Sequence, residues 1–459
     1  MNVQDYTELS QGIEELTVLA MERGLDFFTM HYEVCPADII YTIGAYGMPT
    51  RFSHWSFGKV FSRMKMEYDF SLSKIYELVI NSDPCYAFLL ENNSLLQNKL
   101  IVAHVLGHSD FFKNNVYFSL TNRDMVQMMS LYANQIKEME FAYGLDEVEH
   151  CLDAILAIQE HIDPWRVFHD GTRQGLKSKR NGTSPRNHHT VDGQELSGAN
   201  VRSGKEHESQ QAKEDTGEQY GYEEKDLLLF IAENSRKLKE WQKQLIYMLR
   251  EEMYYFWPQI ETKIMNEGWA TYWHIRLMRE IDLSEAELIE FSKANAKIIR
   301  PSQQGINPYF LGLKIFEALE QEYGEAFLFE ARETYNDLSF LRNFLTKDLI
   351  AKSDMYLYGW RKQGYVITNK EWNEVKKKLL QQKVNGGFPY LVVLDGDYHG
   401  SGELLIKHKH EGMDLDRHYV EKTLPYVRSL WGKPVHLETV INGTAKRYTC
   451  QKSENIILN

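Results

Sequence analysis

Residues 94–112 read SLLQNKLIVAHVLGHSDFF, a run in which apolar residues recur at helical spacing. The pattern predicts one helix from Ser94 to Phe112. His104 and His108 are four residues apart and therefore share one face of this helix, where both imidazoles can address a single ion. The alternative is a pair of histidines that are hydrogen-bonded inside a helical core.

Residues 266–274 read NEGWATYWH and place a carboxylate and an imidazole seven residues apart, again on one helical face. Such groups are costly to bury among large aromatic side chains unless they are paired or bound to a metal. Two histidines from one helix and a glutamate from a later helix are typical of a catalytic zinc site with an open position. We therefore predict a divalent metal site, with zinc as the expected ion, at His104, His108, Glu267 and His274. An ion pair or hydrogen bond inside an aromatic core is the alternative.

The catalytic base is harder to assign. In H-E-x-x-H metallopeptidases the residue after the first histidine is the glutamate that acts as general base, and here that residue is Val105. Glu91 and Glu252 are candidates for the missing carboxylate, although each also fits a solvated or salt-bridged glutamate. The sequence therefore leaves open whether the site hydrolyses a substrate or only binds a metal.

A compact aromatic and polar segment, residues 51–59 (RFSHWSFGK), is of the kind that lines clefts. Its alternative is an irregular segment anchored by its aromatic side chains. The predicted cleft residues are His54, Trp55 and Lys59, together with Asn114 at the end of the histidine helix, where asparagine is also an ordinary cap.

The remaining patterns predict a mainly α-helical bundle followed by a small α+β domain. Residues 1–168 and 225–353 carry the helical periodicity of the two halves, and residues 354–459 alternate between strand and helix patterns around an Asn442-Gly443 hairpin. Residues 169–224 are polar and poor in aromatics, which predicts a disordered linker.

Three local predictions concern the segments around the two motifs. Helices are expected over Leu72–Ile80 and Tyr86–Leu90. Pro258 is expected to break the helical pattern that starts at Asp226, with a new helix from near Ile260.

Composition narrows the function. The 459 residues include 52 Lys and Arg against 65 Asp and Glu, a net charge of −13, so no electrostatic footprint for nucleic acid is present. No apolar run approaches the ~20 residues of a membrane helix, and no signal peptide is visible. Four cysteines without a C-x-x-C pair fit a reducing cytoplasm. Walker A, G-x-G-x-x-G and G-x-S-x-G patterns are absent, which disfavours nucleotide binding and serine hydrolysis.

Several runs along the chain together resemble the stage V sporulation protein R (SpoVR) family. They are SHWSFGK at 53–59, NSDPC at 81–85, HVLGH at 104–108 followed by FFKNN at 111–115, NEGW at 266–269, and NPY at 307–309 followed by LG at 311–312. The resemblance implies a bacterial cytoplasmic protein that acts in forming the spore cortex. Relatives also occur in bacteria that make no spores, often encoded beside a serine protein kinase. Sporulation or kinase-linked proteins are therefore the expected partners, and the oligomeric state stays open.

A fainter similarity concerns the chemistry. Residues 267–272 (EGWATY) are similar to the segment that supplies the third zinc ligand in some gluzincin-type peptidases. His104 and His108 of this chain would then correspond to the two histidine ligands of those peptidases. Val105 departs from that pattern. Two hypotheses follow: a metal-dependent hydrolase of endospore formation, or a non-enzymatic regulatory or scaffold protein with a structural or vestigial metal site.

Overall fold

The computed structural model describes residues 3–69, 77–166, 223–302, 305–362, 364–452 and 455–458. The chain divides into two compact units, residues 1–162 with 224–459 and residues 163–223. All elements described below belong to the first unit, which contains both helical halves and the C-terminal region. Residues 167–222, nearly all of the predicted linker, lie outside the described residues, and the disorder predicted there stays a prediction.

Sixteen α-helices and ten β-strands are present in the described ranges, so the predicted mainly α-helical fold with a small C-terminal α+β region is confirmed. The helices are α1 (Val3–Glu22), α2 (Ala37–Tyr46), α3 (Trp55–Asp69), α4 (Leu95–Asn114), α5 (Met125–Tyr143), α6 (Leu145–Leu156), α7 (Leu227–Asn234), α8 (Glu240–Glu261), α9 (Lys263–Glu280), α10 (Glu285–Ile298), α11 (Pro308–Tyr323), α12 (Glu325–Thr334), α13 (Asp337–Phe344), α14 (Lys347–Lys352), α15 (Trp372–Gln381) and α16 (Arg417–Trp431). The strands are β1 (Met30–Cys35), β2 (Leu78–Ile80), β3 (Cys85–Leu90), β4 (Leu357–Arg361), β5 (Gly364–Asn369), β6 (Leu391–Tyr398), β7 (Glu403–His408), β8 (Val435–Ile441), β9 (Thr444–Lys452) and β10 (Asn455–Leu458).

Helix α4 is the histidine helix that the sequence predicts, and it is buried on almost all sides. Ser94 caps its first turn by accepting a hydrogen bond from the Gln97 backbone N–H, and the Gln97 side chain accepts one from the Ser94 N–H. A helix that is buried all round belongs to the centre of a large core. Its neighbours in that core are α1 and α9.

Three glycines bring α4, α9 and α11 close together. A Cβ atom on Gly107 of α4 would lie 2.8 Å from the Cα of Ala270 in α9, and one on Gly268 would lie 2.5 Å from the Cα of Gly312 in α11. Only hydrogen fits at these positions, so the backbones of the three helices touch. The residues beside these glycines are therefore held at a fixed separation across the helix contacts.

The C-terminal sheet has the strand order β10-β9-β8-β7-β6, in which β7 and β8 are parallel and the other pairs antiparallel. Helix α16 connects the two parallel strands, as such a pair requires. The predicted Asn442-Gly443 turn is confirmed, with φ of 50° and 75° at its two residues. The sheet shares one hydrophobic core with α5, α6, α7 and α8.

Two predicted helices are wrong where the structure describes them. Residues 78–80 and Cys85–Leu90 are strands of a three-stranded sheet with the order β1-β3-β2. A six-residue apolar run cannot be distinguished from a buried helix by periodicity, and the Asn81–Pro84 turn before it favours the strand. The correction matters because Glu77 immediately precedes β2.

The predicted helix break at Pro258 is also wrong, because α8 continues to Glu261. Pro258 lies in the last turn of the helix, where its missing N–H removes one helical hydrogen bond near the end. Thr262 then links α8 to α9: its N–H and hydroxyl both donate to the Pro258 carbonyl, and its own carbonyl accepts from the Asn266 N–H.

Candidate metal centre

The two histidines of α4 point at the same carboxylate of α9. The Nε2 atoms of His104 and His108 lie 3.6 and 3.5 Å from Oε2 of Glu267. All three side chains are buried, with at most 5% of each exposed. The predicted meeting of an early histidine pair with a later glutamate is therefore present in the structure.

Glu77 completes the cluster. Its Oε1 lies 4.0 Å from Nε2 of His104, and one ligand atom from each of the four residues lies within 4.8 Å of every other. Glu77 precedes a strand that was predicted as a helix, so no pattern in the sequence pointed to it. Four such donors around one point can hold a divalent cation.

Two further side chains fix the carboxylates. The Nζ atom of Lys263 donates to Oε1 of Glu267 at 2.5 Å, and the Tyr309 hydroxyl donates to Oε1 of Glu77 at 2.5 Å. Lys263 is four residues before Glu267 on α9, a spacing at which helical ion pairs form. Tyr309 also stacks on His104, with ring centroids 6.0 Å apart.

The electrostatics of the cluster keep Glu267 ionised. Burial acts to raise the pKa of Glu267, but Lys263 and His108 outweigh burial and hold this pKa well below its usual range. Burial acts to lower the pKa of His108, yet the facing carboxylate leaves that pKa raised overall. Burial and the Glu77 charge raise the pKa of Tyr309, so its hydroxyl keeps the proton that it donates.

A hydrogen-bond relay behind His104 sets which of the two ring nitrogens of His104 carries the proton. Nδ1 of His104 lies 2.8 Å from Nδ1 of His274, and Nε2 of His274 lies 3.2 Å from Oδ1 of Asn295. Because an amide oxygen only accepts, His274 must carry its proton on Nε2 and accept at Nδ1. His104 must then be protonated on Nδ1, which leaves the lone pair of its Nε2 directed at Glu267. Burial and the neighbouring His104 lower the pKa of His274 well below its ordinary value, so His274 stays neutral.

His274 was predicted as a ligand, and the geometry gives it this different position. Both of its ring nitrogens are engaged in the relay, and it lies outside the four-residue cluster. His108 has a simpler partner, since its Nδ1 donates to Oδ1 of Asn266 at 2.8 Å. Such outer hydrogen bonds are how proteins orient histidine ligands.

The donors present fit a divalent ion. Nε2 of His104 and Oε2 of Glu267 are buried without a hydrogen-bond partner, which is costly unless another group satisfies them. Two ligands that are each about 2.0–2.1 Å from a tetrahedral zinc ion lie about 3.4 Å apart. The 3.5 and 3.6 Å separations from Glu267 to the two histidines match that spacing.

The relay yields a prediction for metal affinity. Asn295→Ala removes the acceptor that fixes the tautomer of His274, so we expect metal affinity to fall by about 10- to 100-fold. Asn295→Asp keeps an acceptor at the same place and should retain the affinity. Competition with a chromophoric chelator measures both variants. Wild-type affinity in Asn295→Ala would show that the relay does not act on His104.

The other predicted site residues lie away from the cluster. Glu91 follows β3, and its N–H donates to the Cys35 carbonyl. Glu252 is buried against Arg51: the Nε atom of Arg51 lies 2.7 Å from the Oε2 atom of Glu252.

The four predicted cleft residues also lie outside the cluster. His54 is buried against Ser56 and Asp153, and the Trp55 indole N–H donates to Asp153. Lys59 is exposed. The Asn114 side chain donates to the backbone carbonyls of Asp26 and Asp110.

The fold and the cluster together define a mainly α-helical protein with a centre of two histidines and two glutamates, three of which are buried. The family described as "SpoVR like protein" matches residues 3–388, and that described as "SpoVR-like C-terminal domain" matches residues 389–442. The chain belongs to the SpoVR family, as the sequence motifs indicate. The boundary between the two matches falls inside the predicted C-terminal region of 354–459.

The chain is 26% identical to the uncharacterized protein YcgB of Escherichia coli (strain K12), over 95% of this chain and 94% of that relative. No solved structure matches it. Among the described residues, none of the helices has the length and apolar character needed to cross a bilayer.

Proposed function

We propose that this chain is a metal-dependent hydrolase of endospore formation that cleaves an amide or related bond during cortex assembly. His104, His108 and Glu267 would hold the ion, with zinc as the expected metal. The observation that carries the proposal is the convergence of three buried ligand atoms, two of which have no hydrogen-bond partner. The family name supports the sporulation role.

A catalytic zinc site keeps one position open, and there the ion lowers the pKa of a bound water to about 7. We assign Glu77 as the general base beside that position. Glu77 lies farther from His104 than Glu267 does, and 19% of its side chain is exposed. It can therefore accept a proton from an attacking water that reaches the centre from outside.

Tyr309 and Lys263 keep the two glutamates in separate roles. The Tyr309 hydroxyl donates to Glu77 and fixes the direction of that carboxylate, while Lys263 occupies the Glu267 oxygen that faces away from the histidines. In this proposal Glu77 has the role of the glutamate that follows the first histidine in H-E-x-x-H peptidases. Val105, the residue at that position here, is fully buried in the core.

The second candidate is a regulatory or scaffold protein with a structural metal site, which would act through sporulation or kinase-linked partners. Val105 in place of a glutamate favours it, as does the fact that four donors can close the coordination of zinc. The two candidates differ in the role of Glu77: a base in the first, a ligand in the second.

Glu77→Gln separates them. We expect this variant to keep its metal and to lose about 100-fold or more of its hydrolytic rate, because glutamine cannot accept the proton. The measurement is metal content of the purified chain together with heat resistance of spores from a host that carries only this variant. Glu91→Gln, which changes a carboxylate outside the cluster, is the control and should give normal spores. Loss of metal in Glu77→Gln would favour the structural site, and normal spores would contradict the base assignment.

A further inference from the structure

We propose that a cleft beside the metal centre binds a carboxylate of the substrate, which makes the substrate an acidic, peptide-like amide. The inference rests on the proposed function, since it concerns the substrate of the same site. The cleft has a volume of about 590 Å³ and lies among the end of α2, the second half of α8 and the start of α9. Its inner wall includes Lys263, whose Nζ contacts the cluster residue Glu267.

The cations around this cleft line its wall, and the carboxylates that pair with them are buried behind the wall. Arg51, Lys263 and Lys383 line it, and Glu160 is the one carboxylate among the described lining residues. Each cation has an acidic partner on its interior side, and all three partners are buried. These partners are Glu252 for Arg51, Glu267 for Lys263 and Asp337 for Lys383. Lys263 is the most exposed of the three cations, with 53% of its side chain exposed against 9% for Arg51 and 14% for Lys383, while the balancing carboxylates stay inside the protein.

Lys263 couples the cleft to the metal centre. About half of its side chain is exposed (53%), and its ammonium group has three N–H donors, one of which is directed at Glu267. Once Glu267 shares its charge with a bound cation, its hold on Lys263 weakens. The ammonium can then pair with an anion in the cleft, so metal and carboxylate should bind with positive coupling.

Apolar side chains complete the cleft. Met253, Phe256 and Ile260 of α8 line it beside the cations. A ligand that places aliphatic carbons on these side chains and a carboxylate on the cations has the character of an amino-acid unit. Lys263 lines the cleft and contacts Glu267, so the amide bond of such a ligand would lie on the Lys263 side.

Matched hydroxamates test this subsite on the zinc-loaded full chain by titration calorimetry. The probes are the monohydroxamates of succinic, glutaric and adipic acid, each compared with a methyl-ended hydroxamate of equal length. The hydroxamate group binds the metal in every probe, and the carboxylate is the difference within each pair. We expect at least one acid to bind about tenfold or more tightly than its neutral partner.

Two variants assign that gain to the cleft. Arg51→Gln with Glu252→Gln removes a cation and its buried partner together, whereas Lys383→Gln is made alone because Asp337 also accepts hydrogen bonds from the Ile264 and Met265 N–H groups. Each variant should reduce the tenfold preference to less than about threefold and leave the neutral probes unchanged. Lys378→Gln, a lysine that lines a different cleft, should change nothing.

Equal binding of acidic and neutral probes, or a full preference in both cleft variants, would overturn the carboxylate subsite while the metal centre stands. Failure of every hydroxamate to bind would instead mark a failure of the metal centre itself.

Discussion

Replacing His104 and His108 together by alanine is expected to leave the purified chain without its metal ion. The two imidazoles supply two of the three proposed ligands, and Glu267 alone, already paired with Lys263, cannot retain zinc. Elemental analysis of protein purified without chelators should give about one ion per chain for the wild type and none for the double variant.

His418→Ala is the matched control, because this histidine is exposed and lies outside the cluster. It should keep the wild-type metal content. Equal metal in the double variant and the wild type would contradict the site. If the double variant folds normally and its host fails to form cortex, a pure scaffold role becomes untenable.

Gly268→Ala is expected to destabilise the fold and weaken metal binding at the same time. Its Cβ would lie 2.5 Å from the Gly312 backbone, so α9 and α11 must separate. Overpacking of this kind costs about 1–3 kcal/mol and can cost more where only backbone is available to move. Because Glu267 is the adjacent residue, the same shift moves this proposed ligand away from the histidines of α4.

The control for this variant is Gly58→Ala in helix α3, where a Cβ would meet nothing within 4 Å. That change should be neutral or stabilise by up to about 1 kcal/mol, because alanine is the better helix former. Denaturant unfolding gives the free energies, and chelator competition gives the metal affinity. Unchanged stability in Gly268→Ala would contradict the close contact of the two helices.

The core of the site was predictable because it depends on helical spacing. A four-residue interval puts His104 and His108 on one face regardless of the rest of the fold, and a carboxylate inside an aromatic run requires a partner. Lys263 could also have been found, since it is four residues from Glu267. Helical spacing shows which residues share a face, and this is enough to bring His104, His108 and Glu267 into one predicted cluster.

Helical spacing gave no information on how far each side chain lies from the centre of the cluster, or on contacts between segments that are distant in sequence. His274 shares a face of α9 with Glu267, yet it lies behind His104 and bonds to it instead of joining the cluster. Glu77 and Tyr309 come from a strand edge and a separate helix, and only the folded chain brings them together. The glycines at 107, 268 and 312 are likewise required by backbone contacts between different helices, which the sequence of a single helix does not show.

In the fold, too, the elements with local sequence signals were predicted and those that depend on tertiary contacts were not. Long amphipathic helices and the Asn442-Gly443 hairpin were predicted because their signals are local. The β1-β3-β2 sheet was missed because its central strand is a short apolar run, and its parallel partner β1 lies far from it in sequence. Pro258 was misread because a proline that removes one helical hydrogen bond near the end of a helix need not end that helix.

Diffraction from crystals of the zinc-loaded full chain, recorded at the zinc absorption edge, tests the central claim most directly. We predict an anomalous peak about 2.0–2.2 Å from Nε2 of His104, Nε2 of His108 and a carboxylate oxygen of Glu267. A peak coordinated by other residues, or no peak there at full zinc loading, would contradict it.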